Sequence, residues 1–425
     1  MQEDFIDWIW RNKLFDQQDL KCESGEILEI LNPGIRNSDS GPDYFNARLK
    51  IDGVVWIGNV ELHVRASDWL RHKHHYDAMY DNVILHVVHE PDAIIYRRDG
   101  SRLPELALQC RYNSELLNQY MDLMQGTAQW IPCERLLSDI PPLVWHQWLA
   151  RVITSRLQER CRQLEDLLKQ TNYDWEEAFY RKLSEAFGFR VNNDPFRMLA
   201  QSLPLSLLRR HAMQKNYCEA LLFGQAGMLH DGMKDAYGRE LYSIYTYLRK
   251  LHQLSPIPRH IWKFGKLRPA NFPTRRIAQL AVLLQRTPTL FSMLVHCENF
   301  PELTALLKVE ADGYWKRHYH FDEEVPSSNV VLGDGSVQSL IINAVIPFVF
   351  YYGRHHGLTV VVNKALSWLE RCEAEDNTIT RNWNRIGILT DSALETQALL
   401  YLHKEYCIHK KCVNCGIGQH LLHSK

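Results

Sequence analysis

The sequence predicts an α+β fold: a mixed sheet with flanking helices over residues 1–112, then a large all-α region over residues 113–425. Three observations carry this. Short runs rich in branched apolar residues, bounded by turn residues, fill the first hundred positions. Asp52-Gly53 stands between two of them as a two-residue hairpin signal. Beyond residue 112 apolar residues recur with the helical period.

Element by element, residues 4–14 place Phe5, Ile6, Ile9, Trp10 and Leu14 on one helical face, with Asp4 as N-cap. Residues 26–31 read as a strand ending at Asn32-Pro33-Gly34, and Asn37 to Asp43 as a polar loop. Strands are expected at 44–51 and 54–64, joined by the hairpin, and at 82–89 and 103–110. Ser67 or Asp68 caps a helix running to about residue 80. A meander followed by a helical crossover implies a mixed sheet. Helices are expected at 143–170, 174–187, 195–225, 237–254, 275–295, 301–318, 336–352, 358–373 and 391–406.

A length of 425 residues suits two or three domains, and 45% hydrophobic residues suit a packed core. The net charge of −1 excludes a globally basic nucleic-acid binder, so nucleic-acid contact would rest on local patches. The acidic start Met1-Gln2-Glu3-Asp4 lacks a signal-peptide pattern. The most apolar run, Leu340 to Tyr352, is too short to span a bilayer. The expectation is a cytoplasmic chain without membrane contact.

Strand alternation puts Asn59, Glu61 and His63 on one face of the third strand, with Val60, Leu62 and Val64 on the other. Asp43 opens the preceding strand, and the hairpin folds the two together. Two carboxylates so placed can share one hard divalent cation, Mg²⁺ or Mn²⁺, which would acidify a bound water and polarise a phosphoryl oxygen. The alternative is a turn-capping Asp43 and a solvated Glu61. Gly41-Pro42-Asp43, followed by Glu61-Leu62-His63, resembles the signature of the PD-(D/E)XK nucleases, and the order α-β-β-β-α-β is similar to the core of that restriction-endonuclease-like fold. The resemblance implies that Asp43 and Glu61 ligate metal with help from the Leu62 carbonyl. His63 stands where that family has lysine. Histidine can orient water or bind a softer metal, but it does not supply lysine's fixed charge.

On the helix expected from Ser67, Asp68, His72 and His75 share a face that can lean over Glu61 and His63. Asp68 and His72 are therefore candidate supporting residues, against the alternative of a solvated helix. His86 and His89 read as packed or edge residues.

Of ten cysteines, three crowd the end of the chain as Cys407, Cys412 and Cys415. This spacing suits a metal better than a disulfide. Zinc would take one more ligand, from His409, His420, His423, Cys133 or Cys372, whereas an iron–sulfur cluster favours four cysteines. Some PD-(D/E)XK nucleases are similar in joining one upstream cysteine to three C-terminal ones around such a cluster.

The stretch Trp262 to Arg276 interleaves bases and aromatics, which suits a base-stacking groove or, alternatively, an inter-helix loop with packed aromatics. Over nearly its whole length the chain also resembles a bacterial family, the domain of unknown function numbered 2851. The strings that carry this are Asn37 to Asp43, Gly58 to His63, Ser67-Asp68-Trp69, Leu85 to Val88, Leu267 to Pro273 and the three C-terminal cysteines. That resemblance includes a Pro-Cys at Pro132-Cys133, which implies Cys133 as the fourth ligand. It implies no activity.

Three functions follow from these readings. The first is a metal-dependent nuclease on DNA or RNA using Asp43, Glu61, His63, Asp68 and His72. The second is an inactive nuclease fold serving as a nucleic-acid-binding or scaffold module. The third is a zinc hydrolase of a non-nucleic substrate.

Overall fold

A computed structural model describes residues 3–37, 39–125 and 129–423. The first helix, α1 (Glu3–Arg11), buries Phe5, Ile6, Trp8, Ile9 and Trp10 completely. It stops short of the expected residue 14 because Lys13 turns to φ 52°.

Six strands follow: β1 (Leu28–Asn32), β2 (Ile35–Arg36), β3 (Tyr44–Ile51), β4 (Val54–Arg65), β5 (Val83–Glu90) and β6 (Glu105–Ala107). Their order is β1-β3-β4-β5-β6, with β2 on β3. The β3–β4 hairpin is antiparallel, and Asp52 (φ 46°) and Gly53 (φ 81°) both adopt the positive φ that its tight turn requires. The β4–β5 and β5–β6 pairs are parallel, so the sheet is mixed as expected. β4 is paired on both sides, and this puts its polar residues inside. The larger core packs α1 and α3 (Ser114–Gln125) on the sheet, and a smaller cluster around Trp69, Ile95 and Leu103 also forms.

The helix expected over 67–80 is a single turn, α2 (Asp68–Arg71). Lys73 adopts φ 63°, the left-handed region, and a 3₁₀ turn His74–Tyr76 follows. Burial of Trp69 against His74, Tyr80 and His86 stabilises this reversal (ring centroids 5.3, 5.7 and 5.4 Å away).

The remaining chain is mainly helical, and helix makes up 55% of the described residues. The long helices α4 (Pro142–Gln170) and α5 (Trp175–Phe187) match expectation. The helix expected over 195–225 is three: Asn193–Ser202, Leu205–His211 and Tyr217–Gln225. Leu203 is extended before Pro204, where helical backbone is disfavoured, and Asn216 turns left-handed. Pro288 likewise splits 275–295 into Pro273–Arg286 and Leu290–His296. Residues 334–355 form one apolar run, long enough to cross a membrane by composition but mostly buried. Helices Thr378–Arg385 and Gly416–His423 escaped the periodicity.

By internal contacts the chain forms two compact units, residues 1–150 with 400–425, and residues 151–399. Sequence reading drew its line at residue 112.

Candidate functional site

Strand register assembles the site. Tyr44 pairs with Val60, which sets Asp43 beside Glu61. The two acids interlock: the Asp43 N–H donates to Glu61 Oε2 (3.1 Å), and the Leu62 N–H donates to Asp43 Oδ2 (2.9 Å). Glu61 is 5% exposed. Burial pushes both carboxyls well above the ordinary carboxylate range, and the charge of Asp43 adds to the rise at Glu61.

Across β4, β5 and β6, Glu61 lies opposite His86, and His86 opposite Glu105. Three hydrogen bonds link this row to the site. His86 Nδ1 lies 3.1 Å from Glu105 Oε2, His63 Nδ1 2.9 Å from His86 Nε2, and His63 Nε2 3.1 Å from His72 Nδ1. With Glu105 Oε2 as acceptor, His86 carries its proton on Nδ1. His86 Nε2 then accepts from His63 Nδ1–H. The relay leaves the lone pair of His63 on Nε2, facing the site. Burial, followed by the charges of His86, His74 and His72, holds His63 down to about 2, so its ring stays neutral. His74 is held down to about 4 for the same leading reason.

Among the described residues, one group of three brings metal-binding atoms within 4.8 Å of one another: His63, His72 and His74. Glu61 Oε1 lies 3.4 Å from His74 Nε2 and 3.8 Å from His63 Nε2. His74 Nε2 is buried and makes no hydrogen bond. An orphaned nitrogen lone pair or N–H beside a buried acid pair fits a cation held by nitrogen and oxygen donors.

Asp43, Glu61, His63 and His72 therefore come together. Asp68 is buried too, but its carboxylate is engaged: Oδ2 accepts from the Arg65 N–H (3.2 Å) and Oδ1 pairs with Arg71 (2.9 Å). It fixes the turn after β4. His75, expected beside His72, instead packs its ring on Tyr76 at 3.9 Å, and the reversal at Lys73 delivers His74 in its place.

Sequence reading noted His74 only as one of a polar set after Glu61, and missed Glu105 as well as Glu3 and Asp7, whose charges reach Asp43 from one side of α1. Asp7 Oδ1 accepts from Tyr44 Oη (2.6 Å) and Arg36 Nε (3.0 Å), while its buried Oδ2 has no partner. The i, i+4 spacing of two acids on the first helix was the available signal.

Cys133, Cys407, Cys412 and Cys415 gather in the first compact unit, with no three of their Sγ atoms within 4.8 Å of one another. Cys412 and Cys415 are each 8% exposed, and Cys133 packs against the core that contains Cys412. Burial pushes the thiols up, to about 12 for Cys133 and about 11 for Cys415, and neighbouring cysteine charges add to the rise at Cys133, Cys407 and Cys412. The Trp130 ring stacks on His403 (4.5 Å, 15°), which brings the Cys133 segment alongside the turn leading to Cys407. Cys372 lies in the other compact unit.

The loop from Trp262 presents no row of stacking aromatics. Trp262 is buried and its Nε1 donates to the Ala226 carbonyl (2.9 Å), while Phe264 and Phe272 pack edge to face at 5.3 Å. Arg275 and Arg276 are also buried.

Fold and site together define a mixed α/β protein with a buried carboxylate–histidine cluster at the centre of its sheet. The chain belongs to the family described as protein of unknown function (DUF2851), whose model matches residues 3–378. The matched span covers the carboxylate–histidine cluster and ends before Cys407. Neither a curated protein nor a solved structure matches the chain.

Proposed function

We propose that this chain is a divalent-metal-dependent phosphodiesterase acting on nucleic acid, with its sheet serving as a PD-(D/E)XK-type core. The observation that carries the reading is the interlock of Asp43 and Glu61 through each other's strand backbone. Two buried carboxyls are costly to ionise side by side, and a cation between them supplies the missing charge. Asp43 and Glu61 would hold it, and when bound it activates a water and neutralises charge on the phosphoryl oxygens. The water oxygen bonds to phosphorus, one bridging P–O bond breaks, and the departing oxygen takes up a proton.

His63 occupies lysine's place as a neutral imidazole, with His86 and Glu105 fixing its tautomer. Together with His72 and His74 it favours a metal that accepts nitrogen ligands, Mn²⁺ or Zn²⁺, over Mg²⁺. The same three-histidine grouping supports a second reading, a zinc hydrolase of a non-nucleic substrate.

The test is cleavage of DNA and RNA with Mg²⁺, Mn²⁺ and Zn²⁺ by wild type and Glu61→Ala. Metal-dependent cleavage that Glu61→Ala loses supports the nuclease. Absence of cleavage on every substrate and metal sinks it and leaves a binding or scaffold role.

We infer as well that Cys133, Cys407, Cys412 and Cys415 hold zinc or an iron–sulfur cluster, a reading supported by the charge that these buried thiols exert on one another from two distant stretches of chain. Metal analysis of anaerobically purified protein distinguishes the two. Protein lacking both metals overturns this reading.

A further inference from the structure

The helical unit contains a cavity of about 500 Å³ that the proposed chemistry does not use. This is the size of a small-molecule site. Its polar wall combines Arg160 from α4, Lys182 from α5, Arg190 and Asn193 beyond α5, and Asn343 with Ser339 from the apolar run 334–355. One carboxylate, Glu185, lies in the wall, 3.3 Å from Lys182. Arg160 and Arg190 thus have no acidic partner within it.

A backbone irregularity shapes this wall. Residues Ile341–Val345 form a π turn inside the helical run. Pro347 has no N–H for the Asn343 carbonyl, so the α-helical ladder breaks there. Arg160 uses the irregularity: its guanidinium donates to the Ile342 carbonyl (3.2 Å) and Asn343 Oδ1 (3.3 Å). These two bonds leave further N–H donors of the five available.

Phe189 and Ser339 also line a second cavity of about 250 Å³, which holds Arg276. Arg276 is 5% exposed. Its guanidinium donates to Gln279 Oε1 (2.9 Å), Asn271 Oδ1 (2.6 Å) and Ser336 Oγ (2.9 Å), all neutral acceptors, and Nε has no partner. A buried guanidinium balanced by no anion, lying over the Phe189 ring (4.6 Å) with its Nε–H and one Nη1–H unused, points to an anionic ligand.

We propose that these adjoining cavities bind a small phosphate-bearing molecule of nucleotide size, its anionic groups meeting Arg160, Lys182 and Arg190 on one side and Arg276 on the other. Guanidinium pairs suit phosphate because their fork matches two of its oxygens. Leu164, Ala186 and Pro347 supply apolar wall for the uncharged part.

The experiment is calorimetric titration of the full chain with inorganic phosphate, pyrophosphate, AMP, ADP, ATP, citrate and a short DNA duplex. The expected result is saturable binding of at least one phosphate compound, with citrate and duplex weaker. Arg190→Ala, at an exposed position, should weaken that binding about tenfold, the loss of one charge-assisted contact. Asn193→Asp, which adds a carboxylate to the wall, should weaken it further. No binding of any phosphate compound overturns the proposal. So does equal affinity in both variants, or preference for the duplex, which would mark a nucleic-acid surface instead.

Discussion

Glu219 offers a stability measurement whose sign and size follow from its surroundings. It lies 7% exposed on the helix Tyr217–Gln225, with Oε2 accepting from Tyr237 Oη (2.7 Å) and the Trp315 indole as a further, weaker donor beside the carboxylate. Burial raises its carboxyl from 4.5 to about 7, and the Tyr237 bond opposes the rise only in part. The unfolded chain therefore releases this proton more readily than the folded one. Below pH 4.5 the group is neutral in both states and contributes no pH dependence. Between 4.5 and 7 each pH unit removes up to about 1.4 kcal/mol of stability, and above 7 the loss levels off near 3 kcal/mol. Glu219→Gln keeps an acceptor for Tyr237 and cannot ionise. Urea unfolding of wild type and variant from pH 4.5 to 8 should give curves that nearly coincide at the acid end, with the variant gaining up to about 3 kcal/mol at pH 8. A constant difference across that range, or a variant less stable at pH 8, would refute the assignment of a buried, uncompensated carboxyl.

Other outcomes follow from packing and from the proposed chemistry. His86→Ala removes the support of the His63 tautomer and should weaken metal binding at the site about 10–100-fold, read by competition with a chromophoric chelator; unchanged affinity would mean that the relay orients nothing. Asp43→Asn should abolish metal-dependent cleavage while leaving the metal content of the cysteine cluster intact, measured on one preparation. Gly224→Ala would put a Cβ 2.1 Å from the Tyr245 ring, where two helices touch; overpacking should lower stability by about 1–3 kcal/mol in denaturant unfolding. Trp69→Ala removes a side chain 1% exposed that packs on His74 and His86. It should cost about 3–5 kcal/mol and also reduce metal affinity at the histidines.

Local chemistry in the sequence determined the strands, the Asp52-Gly53 hairpin and the approach of Asp43 to Glu61. Alternation and turn type act over a few residues, and each has one low-energy solution. The same local reading misplaced what depends on distant partners. It kept a helix running past Lys73, with His75 on the face of Asp68 and His72, whereas the packing of Trp69 turns the chain and delivers His74. It left His86 as a core residue, because the line from Glu61 through His86 to Glu105 exists only once parallel strands take their register, and crossover segments set that register. Helices 195–225 and 275–295 looked continuous because apolar spacing survives a proline that the backbone does not. For the cysteines, spacing gave three at the end of the chain and left the fourth open. The family resemblance, and not the spacing, pointed to Cys133, and the structure stacks the nearby Trp130 ring on His403.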